Sequence, residues 1–328
     1  MDWSSVPVLV TGAGGFIGSH LVEALIEHGA RVRAFVRYNS RGDIGLLKHL
    51  PPRQSQLEIY PGDLRDSAAI TRAMKDIAYV FHLGALISIP YSYQHPREVV
   101  ETNILGTLNV LLAAQENRIK RVVHISTSEV YGTGQTISMR EDHILQGQSP
   151  YSASKIGADK IAQSFYRSFD LPVVTVRPFN TYGPRQSMRA VIPTIITAAL
   201  TGETVRLGTL ASTRDFTFVK DTASGILRAA EIPNIDGSEI NLSSNSEISI
   251  GDLARKIIAI IGREVKIIAE DERKRPVNSE VMRLRGDNAR AREILNWQPT
   301  VSLDEGLQKT ITWIAEHSDS YPLGEYQF

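Results

Sequence analysis

Short apolar runs alternate with longer amphipathic segments along the first half of the chain. Residues 6–11, Val-Pro-Val-Leu-Val-Thr, are mostly β-branched and predict a buried strand. An amphipathic segment follows, and its apolar face carries Phe16, Ile17, Leu21, Leu25 and Ile26. The alternation continues through the strand-like runs 79–81, 122–125 and 173–176 and the helix-like segments 97–115 and 151–169. This rhythm predicts an α/β fold in which helices cover both faces of a parallel sheet.

A glycine-rich turn, Gly12-Ala-Gly-Gly15-Phe16-Ile17-Gly18, joins the first strand to the first helix. Gly12 can make the tight turn, Gly15 lets the backbone approach a pyrophosphate, and Gly18 allows the helix to pack closely on the strand. Phe16 and Ile17 open the helix, whose N-terminus attracts phosphate. Because a strand precedes the motif and a helix follows it, the motif predicts a dinucleotide site in a Rossmann-type, doubly wound sheet.

The regular pattern loosens after residue 177, where prolines 184, 193, 233 and 276 punctuate shorter elements. A chain of 328 residues is long enough for one large or two modest domains. We therefore predict a dinucleotide-binding domain over residues 1–177, to which residues 216–242 return. Residues 178–215 and 243–328 are expected to form a smaller C-terminal lobe that binds the substrate.

The end of the second predicted strand suggests which dinucleotide binds. Sites selective for NAD normally place an acidic residue there to hold the ribose hydroxyls. This chain has Arg37 instead, followed by Asn39, Ser40 and Arg41. Two cations and two small polar groups suit the additional phosphate of NADP, because arginine binds phosphate through paired donors. We predict NADP as the cofactor, with NAD as the alternative; solvated loop charges would be the functionless interpretation.

Two later strand ends supply further candidate cofactor contacts. Asp63 and Leu64 follow the third strand, where the carboxylate can reach the adenine edge. Leu83 and Ala85 follow the strand 79–81, close to the cofactor position in folds of this kind.

Tyr151 and Lys155 are the candidate catalytic pair. A helix places residues four apart on the same face, so the Lys155 ammonium can lie near the Tyr151 phenol and favour its ionised form. A free phenol titrates near ~10, so it needs such help to act as a base. Thr127, Ser128 and Glu129 follow another strand and are expected to meet this pair at the carboxyl edge of the sheet.

Composition excludes several other classes of function. The 36 basic residues balance 36 acidic ones, so no charge excess points to nucleic acid or to an anionic membrane. Cysteine is absent, which excludes disulfides and thiol catalysis, and the histidines lack the spacing of a metal site. With no apolar run near the ~20 residues of a membrane span and no signal-peptide pattern at the start, we expect a cytoplasmic enzyme.

These motifs together resemble the extended short-chain dehydrogenase/reductase superfamily. The resemblance covers nearly the whole chain and rests on Gly12-x-x-Gly15-x-x-Gly18, Asp63, residues 126–132, Tyr151-x-x-x-Lys155, residues 177–185 and Arg214-Asp-Phe216. Within the superfamily, residues 89–93, 179–186 and 190–196 are similar to nucleotide-sugar 4,6-dehydratases. The closest likeness is to those acting on N-acetylglucosamine nucleotides, including the legionaminic acid type.

The resemblance implies a role for each catalytic candidate. Tyr151 would take the proton of the sugar 4-hydroxyl while a hydride leaves carbon 4 for the nicotinamide, with Thr127 bonded to the same oxygen and Lys155 holding the ribose. Glu129 would then remove the proton from carbon 5 as water leaves carbon 6. Return of the hydride to carbon 6 would complete a 4-keto-6-deoxy sugar, and a variant of the reaction passes through or stops at a 5,6-ene.

One position departs from the pattern of the best-known dehydratases. They have Thr-Asp-Glu, in which the aspartic acid protonates the departing hydroxyl, whereas this chain has Ser128 between Thr127 and Glu129. Thr-Ser-Glu is also found in UDP-glucuronate decarboxylases, which are the main alternative. A 4-epimerase needs the tyrosine but no base at carbon 5, so Glu129 argues against it. A non-catalytic dinucleotide-binding regulator would commonly have lost the tyrosine or the lysine.

The same resemblance suggests the substrate contacts and the assembly. Arg214 and Arg275 are the candidate ligands of the substrate diphosphate, Asn180 and Arg185 would lie near the sugar and phosphates, and Val191 would lie near the base. The helix 97–115 has more apolar surface than one face requires. With the helix that starts near Tyr151 it could form the four-helix interface of a homodimer.

Overall fold

The computed structural model describes residues 1–51, 55–270 and 279–321. Within these ranges seven parallel strands form the main sheet, in the order β3-β2-β1-β4-β5-β6-β11. The strands are β1 (Pro7–Thr11), β2 (Arg31–Arg37), β3 (Leu57–Gly62), β4 (Tyr79–His82), β5 (Arg121–Ile125), β6 (Val173–Pro178) and β11 (Glu239–Leu242). The predicted Rossmann-type α/β fold is confirmed. The strand order reverses at β1 and β4, which is where such sheets bind ligands.

Helices cover both faces of this sheet. They are α1 (Phe16–Glu27), α2 (Ser67–Ala73), α3 (Ile89–Gln94), α4 (Pro96–Val100), α5 (Gly106–Glu116), α6 (Pro150–Phe169) and α8 (Val219–Glu231). Alternate residues of β1 point to opposite faces, so Val8 and Val10 join one hydrophobic core while Leu9 joins the other. Burial on both faces explains why these strands are continuous apolar runs in the sequence.

The predicted helix over residues 97–115 contains a local irregularity. A π-turn, Glu101–Leu105, separates α4 from α5. It turns Asn103 into the protein, where the amide oxygen accepts from Leu86 N (2.7 Å) and the amide nitrogen donates to Ser154 Oγ (2.9 Å). Apolar periodicity could not predict this irregularity, because it depends on hydrogen bonds to distant residues.

The remaining elements pack around a further hydrophobic core that includes Ile192, Ile196, Leu253 and Leu307. Its helices are α7 (Val191–Thr201), α9 (Ile250–Ile261) and α11 (Leu303–Glu316), while α10 (Ala289–Leu295) packs on α8 and β11. Short strands complete it: β7 (Asn180–Tyr182) pairs with β10 (Phe216–Phe218), β8 (Thr204–Leu207) with β13 (Lys266–Ala269), and β9 (Thr213–Arg214) with β12 (Ile248–Ser249) and β14 (Arg283–Leu284). Short 3₁₀ turns span Gly45–His49, Ser128–Tyr131 and Ser318–Ser320.

Candidate active site

The glycine turn after β1 has no room for side chains at two positions. Gly12 has φ +68°, and a Cβ there would lie 2.8 Å from Gly84 N. A Cβ on Gly18 would lie 2.2 Å from Gly12 O, because α1 packs directly on the turn. Gly15 caps α1 with no side chain over the helix N-terminus. The turn therefore has the close packing and the exposed backbone N–H groups that a pyrophosphate cradle requires, so a dinucleotide fits here.

Charges of both signs surround the predicted adenosine end. Arg37 is 69% exposed, and its Nη2 atom lies 3.7 Å from Glu98 Oε1. Glu98 Oε2 accepts from the Tyr91 hydroxyl at 2.5 Å. Asp63 is held by Arg65 through two hydrogen bonds of 3.0 and 2.7 Å, which lower the pKa of Asp63. The structure thus adds an acidic group, Glu98, to a place where the sequence suggested mainly cations.

Asn39 has a different role from the predicted one. Its amide oxygen accepts from Arg41 N and Asp43 N, at 3.1 and 2.9 Å, and its amide nitrogen donates to Asp43 O at 2.8 Å. These bonds fold the loop after β2 on itself and occupy the amide that was expected to contact a ribose phosphate. Ser40 and Arg41 are exposed on the same loop.

A chain of buried hydrogen bonds ties the glycine turn to the next strand end. Thr107 Oγ1 donates to Asn103 O (2.6 Å), so it accepts from His82 Nε2 (2.9 Å). His82 Nδ1 therefore accepts from Thr11 Oγ1 (2.8 Å), which itself accepts from Gly84 N (3.1 Å). His82 is neutral with its proton on Nε2, and burial lowers its pKa well below the usual value.

The remaining cofactor candidates lie beside this chain. Leu64 is buried, and its Cδ1 atom packs close to Gly84. Leu83 packs at the edge of the core formed by α1 and α8, and its N–H donates to Thr11 O at 3.2 Å. Ala85 is half-buried in the same loop.

Helix α6 begins at Pro150, and Ser149 and Ser152 form reciprocal capping hydrogen bonds at its N-terminus. Tyr151, in the first turn, is buried, and burial raises its pKa although a hydrogen bond with Thr127 opposes the shift. The Lys155 ammonium donates to Ile125 O at 2.8 Å, and burial lowers the pKa of Lys155 to about 8. We expected Lys155 to favour the ionised phenol; instead burial and the charge of Glu129 favour the neutral form.

Thr127, Ser128 and Glu129 lie where β5 ends, at the start of a 3₁₀ turn. Thr127 Oγ1 accepts from Glu129 N at 3.2 Å and so caps the turn. Glu129 is half-exposed in the wall of a cavity, and its charge acts on Tyr151. Ser128 is buried and, among the described residues, is not part of that wall. The structure therefore brings Thr127, Glu129 and Tyr151 together but turns Ser128 into the protein.

A buried polar cluster that the sequence patterns did not reveal lies behind Lys155. Its centre is the Asp159 carboxylate, which accepts from His124 Nε2 (3.1 Å), Ser126 Oγ (2.8 Å) and the Arg177 guanidinium (3.1 and 3.2 Å). Arg177 is fully buried and also pairs with Glu239 at 3.1 Å. A detectable signal was present, because Asp159 follows Lys155 by four residues on the same helix face.

A cavity of about 330 Å³ lies between the catalytic turn and the elements of the C-terminal part. Besides Glu129, its walls include the predicted residues Asn180, Val191 and Arg214. Arg214 is buried, and its Nη2 atom lies 3.4 Å from Glu280 Oε1. The cavity therefore has a catalytic carboxylate candidate at one side and a cation suited to phosphate at another.

Three further charged residues in this cavity were missed. They are Arg189, Arg206 and Glu280. Arg189 directly precedes α7, and Arg206 lies on β8 and pairs with Glu270 at 2.5 Å. A surface charge and a cavity charge look alike in sequence, so only the fold separates them.

Arg185 does not lie where the sequence suggested. Its Nη2 atom is 2.9 Å from Glu23 Oε2 on α1, and its guanidinium lies over the Trp313 ring. The side chain is buried, and the described residues that line the cavity do not include it. Arg185 therefore forms an ion pair with Glu23 in this structure, and its contact with sugar and phosphates stays a prediction. Arg275 lies outside the described residues.

The described part of the chain contains no group of three or more His, Asp or Glu side chains that could hold a metal ion. In the same residues, no helix is both long enough and apolar enough to cross a bilayer.

Comparisons with known proteins agree with this geometry. Residues 9–310 match a family model described as GDP-mannose 4,6 dehydratase. A UDP-glucose 4-epimerase of Mycolicibacterium smegmatis is 33% identical over 94% of this chain and 99% of its own length. A UDP-N-acetyl-alpha-D-glucosaminuronate decarboxylase of Bacillus cytotoxicus is 32% identical over 94% of this chain and 97% of its own length.

A solved structure is similar over the same length. The dTDP-glucose 4,6-dehydratase DesIV of Streptomyces venezuelae, with NAD and TYD bound, has a TM-score of 0.86 and 28% identity. The match covers 96% of this chain and 99% of the DesIV chain. Similar proteins therefore include a dehydratase, an epimerase and a decarboxylase.

Proposed function

The chain belongs to the GDP-mannose 4,6-dehydratase family of the extended short-chain dehydrogenases/reductases, and from this premise we propose that it is a nucleotide-sugar 4,6-dehydratase. The proposed substrate is an N-acetylglucosamine nucleotide, with UDP or GDP as the nucleotide. The product is the 4-keto-6-deoxy sugar, formed directly or through a 5,6-ene.

The position of Glu129 is the observation that carries this proposal. Its carboxylate lines the cavity and lies close enough to Tyr151 to raise the pKa of the phenol, after the larger effect of burial. Oxidation at carbon 4 needs only the tyrosine and the dinucleotide, whereas loss of water from carbons 5 and 6 needs a base for the carbon-5 proton. A carboxylate at this position supports dehydration over epimerisation.

We propose that NADP or NAD binds along the carboxyl edge of the sheet. Gly12, Gly15 and the N-terminus of α1 would hold the pyrophosphate, and Lys155 would hold the nicotinamide ribose. When bound, the dinucleotide supplies reversible hydride transfer. Arg37 supports NADP, whereas DesIV, which is similar over nearly the whole chain, binds NAD. Tyr151, buried beside Thr127, is the proposed acceptor of the 4-hydroxyl proton. Burial favours its neutral form, so the positive charges of Lys155 and of a bound oxidised nicotinamide would have to ionise the phenol for this step.

The second half of the reaction depends on Glu129. A ketone at carbon 4 acidifies the proton on carbon 5, and the Glu129 carboxylate takes that proton. The carbon–oxygen bond at carbon 6 breaks, and the protonated Glu129 returns a proton to the departing hydroxide, so that one water is lost and a 4-keto-5,6-ene is formed. The 4-keto-6-deoxy sugar would follow when the hydride is returned to carbon 6 and a proton is added to carbon 5. Ser128 is too weak an acid for this step and is buried, so Glu129 serves both purposes in our proposal.

The substrate diphosphate is proposed to bind Arg214, with Arg275 as a second contact and Asn180 and Val191 lining the sugar and base positions. Guanidinium matches two phosphate oxygens at once. Arg189 and Arg206 add cationic character to the same cavity. The lobe made of residues 178–215 and 243–328 is thus proposed as the substrate-binding part.

The second candidate function is decarboxylation of a nucleotide-linked uronic acid. Arg189 supports it, because a guanidinium in the cavity with Glu129 could pair with a uronate carboxylate. The similar decarboxylase of Bacillus cytotoxicus gives this alternative further support. Decarboxylation also requires the 4-keto intermediate but no acid at position 128.

A homodimer is proposed from exposed apolar side chains on the continuous segment from α4 to α5 and on the neighbouring helix α6. Val100 on α4, Leu105 in the π-turn and Leu112 on α5 are 41–48% exposed, and Phe169 at the end of α6 is 53% exposed. Sedimentation velocity at micromolar concentration is expected to give a dimer. A monomer at every concentration tested would contradict this assembly.

Product mass spectrometry tests the proposed function. The protein is incubated with NADP or NAD and, separately, UDP-N-acetylglucosamine, GDP-N-acetylglucosamine or UDP-glucuronate. Loss of about 18 mass units from an N-acetylglucosamine nucleotide is expected, because the proposed base removes the elements of water. Loss of about 44 units from UDP-glucuronate alone would instead establish the decarboxylase.

The variant Glu129→Gln sharpens this test. It should still oxidise carbon 4, which is seen as the absorbance of the reduced nicotinamide, but it should not release water. The matched control is Glu305→Gln, a half-exposed carboxylate on α11. Dehydration at the wild-type rate by Glu129→Gln would contradict the role of Glu129.

A further inference from the structure

Asp159 is a fully buried charged group that the proposed chemistry does not use. It lies on α6, one turn after Lys155, and the side chains of both residues are removed from solvent. An unpaired carboxylate in such a place would cost several kcal/mol. The surrounding donors explain how it is tolerated and indicate what it does.

Its partners come from two strands. His124 Nε2 and Ser126 Oγ donate to the carboxylate from β5 and from the residue just after it, and the Arg177 guanidinium donates from β6. Burial raises the pKa of Asp159, but the hydrogen bond from His124 and the charges of Arg177 and Lys155 outweigh it and lower the pKa to about 2. Asp159 is therefore an anion at any physiological pH.

These contacts connect the two segments that carry the proposed chemistry. Ser126 directly precedes Thr127, and Ile125 accepts the hydrogen bond of the Lys155 ammonium. Asp159 belongs to the helix that carries Tyr151. The carboxylate thus bonds the end of β5 to α6, at the level where Thr127 meets Tyr151.

The charged and titratable groups near Lys155 give Asp159 a second effect. His82 on β4 and His124 on β5 face the ammonium, and burial keeps both histidines neutral by lowering their pKa values. Arg177 on β6 is positive but is paired with both Asp159 and Glu239. Burial lowers the pKa of Lys155, and the negative charge of Asp159 acts to raise it. The hydrogen bond that the ammonium donates to Ile125 O acts in the same direction as Asp159.

We propose that Asp159 is a positioning residue that keeps Lys155 in its ammonium form and fixes the Thr127–Glu129 turn against the helix of Tyr151. This assignment rests on the proposed function for its catalytic consequence. The charge state of Lys155, however, can be measured with or without any turnover. The ammonium donates stronger hydrogen bonds than the neutral amine to a ribose hydroxyl and to Ile125 O, so its loss weakens dinucleotide binding.

The direct test is an NMR titration of Lys155 in protein labelled with ¹³C at lysine Cε, in which the resonance missing from Lys155→Met identifies the residue. The wild type should titrate at about 8. In Asp159→Asn the midpoint should fall by about one unit, because a neighbouring negative charge is lost. An unchanged midpoint would overturn the proposal.

Two further variants separate charge from folding. Glu239→Gln also removes a carboxylate 3.1 Å from Arg177 Nη2 but should leave the Lys155 midpoint unchanged. If Asp159→Asn fails to fold because Arg177 is left with Glu239 as its one carboxylate partner among the described residues, the double variant Asp159→Asn/Arg177→Met removes both charges. It should show a midpoint that is lowered by less than in Asp159→Asn, because loss of the Arg177 cation acts in the opposite direction. A midpoint at or above the wild-type value in the folded double variant would also overturn the proposal.

The catalytic consequence is measured separately. The alkaline limb of the pH–rate profile should move to lower pH in Asp159→Asn, because activity is lost as pH rises through the pKa of Lys155. The affinity for NADP or NAD should fall over the same pH range. If no nucleotide sugar is turned over, the proposed function fails while the lysine titration still decides the role of Asp159.

Discussion

The charged groups around Lys155 and those in the substrate cavity are held in different ways. Behind Lys155, Asp159 and Arg177 are fully buried, and their hydrogen bonds come from the long strands and helix of the main sheet. In the cavity, Arg206 is 53% exposed and pairs with Glu270, and Arg214 Nη2 lies 3.4 Å from Glu280 Oε1. These cavity residues lie on or beside strands of two to four residues.

The difference follows from what each region must do. In the proposed function, the groups that move protons and hold the dinucleotide keep one geometry for every substrate, so buried and mutually bonded side chains suit them. The cavity cations would exchange a protein carboxylate for a substrate phosphate, which an exposed ion pair such as Arg206–Glu270, or a long one such as Arg214–Glu280 at 3.4 Å, allows more readily than a buried network does. The buried, mutually bonded groups and the cavity cations thus lie in two separate parts of the proposed site.

The largest expected effect comes from the buried groups beside Lys155. Tyr151→Phe removes only the phenolic oxygen, so kcat should fall roughly 10²–10⁴-fold while folding is retained. Turnover assays and thermal unfolding check this. Tyr182→Phe is the matched control, because Tyr182 is also buried but donates to Leu303 O. Equal loss of activity in both variants would show that buried tyrosines in general, and not the proposed base, limit the rate.

In the cavity, Arg214→Gln should raise KM for the nucleotide sugar roughly 10–100-fold, with a much smaller change in kcat, because a charged hydrogen bond to phosphate is lost. Initial-rate kinetics measure the two constants. Arg255→Gln, an exposed arginine paired with Asp252, controls for loss of a positive charge. A fall in kcat without a rise in KM would mean that Arg214 acts in the chemical step, like the buried groups, and not in substrate binding.

Lys155→Met should stabilise the protein as it removes function. Burial lowers the pKa of Lys155 from 10.5 to about 8, so the folded state disfavours the ammonium. This destabilisation is complete at pH values below the pKa of Lys155 in the folded state. It decreases as the pH rises towards the pKa of Lys155 in the unfolded state. At neutral pH the free energy of unfolding of Lys155→Met should rise by roughly 2 kcal/mol, which is the removed destabilisation less the lost hydrogen bond to Ile125 O.

Urea unfolding at neutral pH and at about pH 10 measures this effect. The gain over wild type should be smaller at the higher pH, because less of the wild-type penalty remains there. Destabilisation at neutral pH would mean that the Lys155 ammonium supports the fold as well as the site.

The smallest expected effect concerns the carboxylate beside Arg214. Glu280→Gln should tighten the binding of UDP or GDP by about threefold, because the negative charge that pairs with Arg214 no longer competes with the phosphate. Calorimetric titration of the two nucleotides measures it. Glu293→Gln, in a separate cavity, is the control. Weaker binding would show that Glu280 contacts the ligand.

Local patterns predicted the main parallel sheet correctly, because its strands are continuous apolar runs. Residues 216–242 were expected to return to the first part of the chain, and Glu239–Leu242 forms the seventh strand of the sheet. The glycine turn could be understood from sequence because its requirement is steric and short-range. The amide of Asn39 bonds within its own loop, an arrangement that composition does not reveal, and its contact with the cofactor stays a prediction.

By itself, the sequence determined the α/β alternation, the glycine turn and the spacing of Tyr151 and Lys155, because each depends on backbone geometry within a few residues. Only the tertiary structure decided which charges act together. Arg185 pairs with Glu23 across 162 positions, while Arg214 finds Glu280 and Asp159 finds Arg177. Burial fixes these choices, since a charge removed from water must take whatever partner the fold brings within reach.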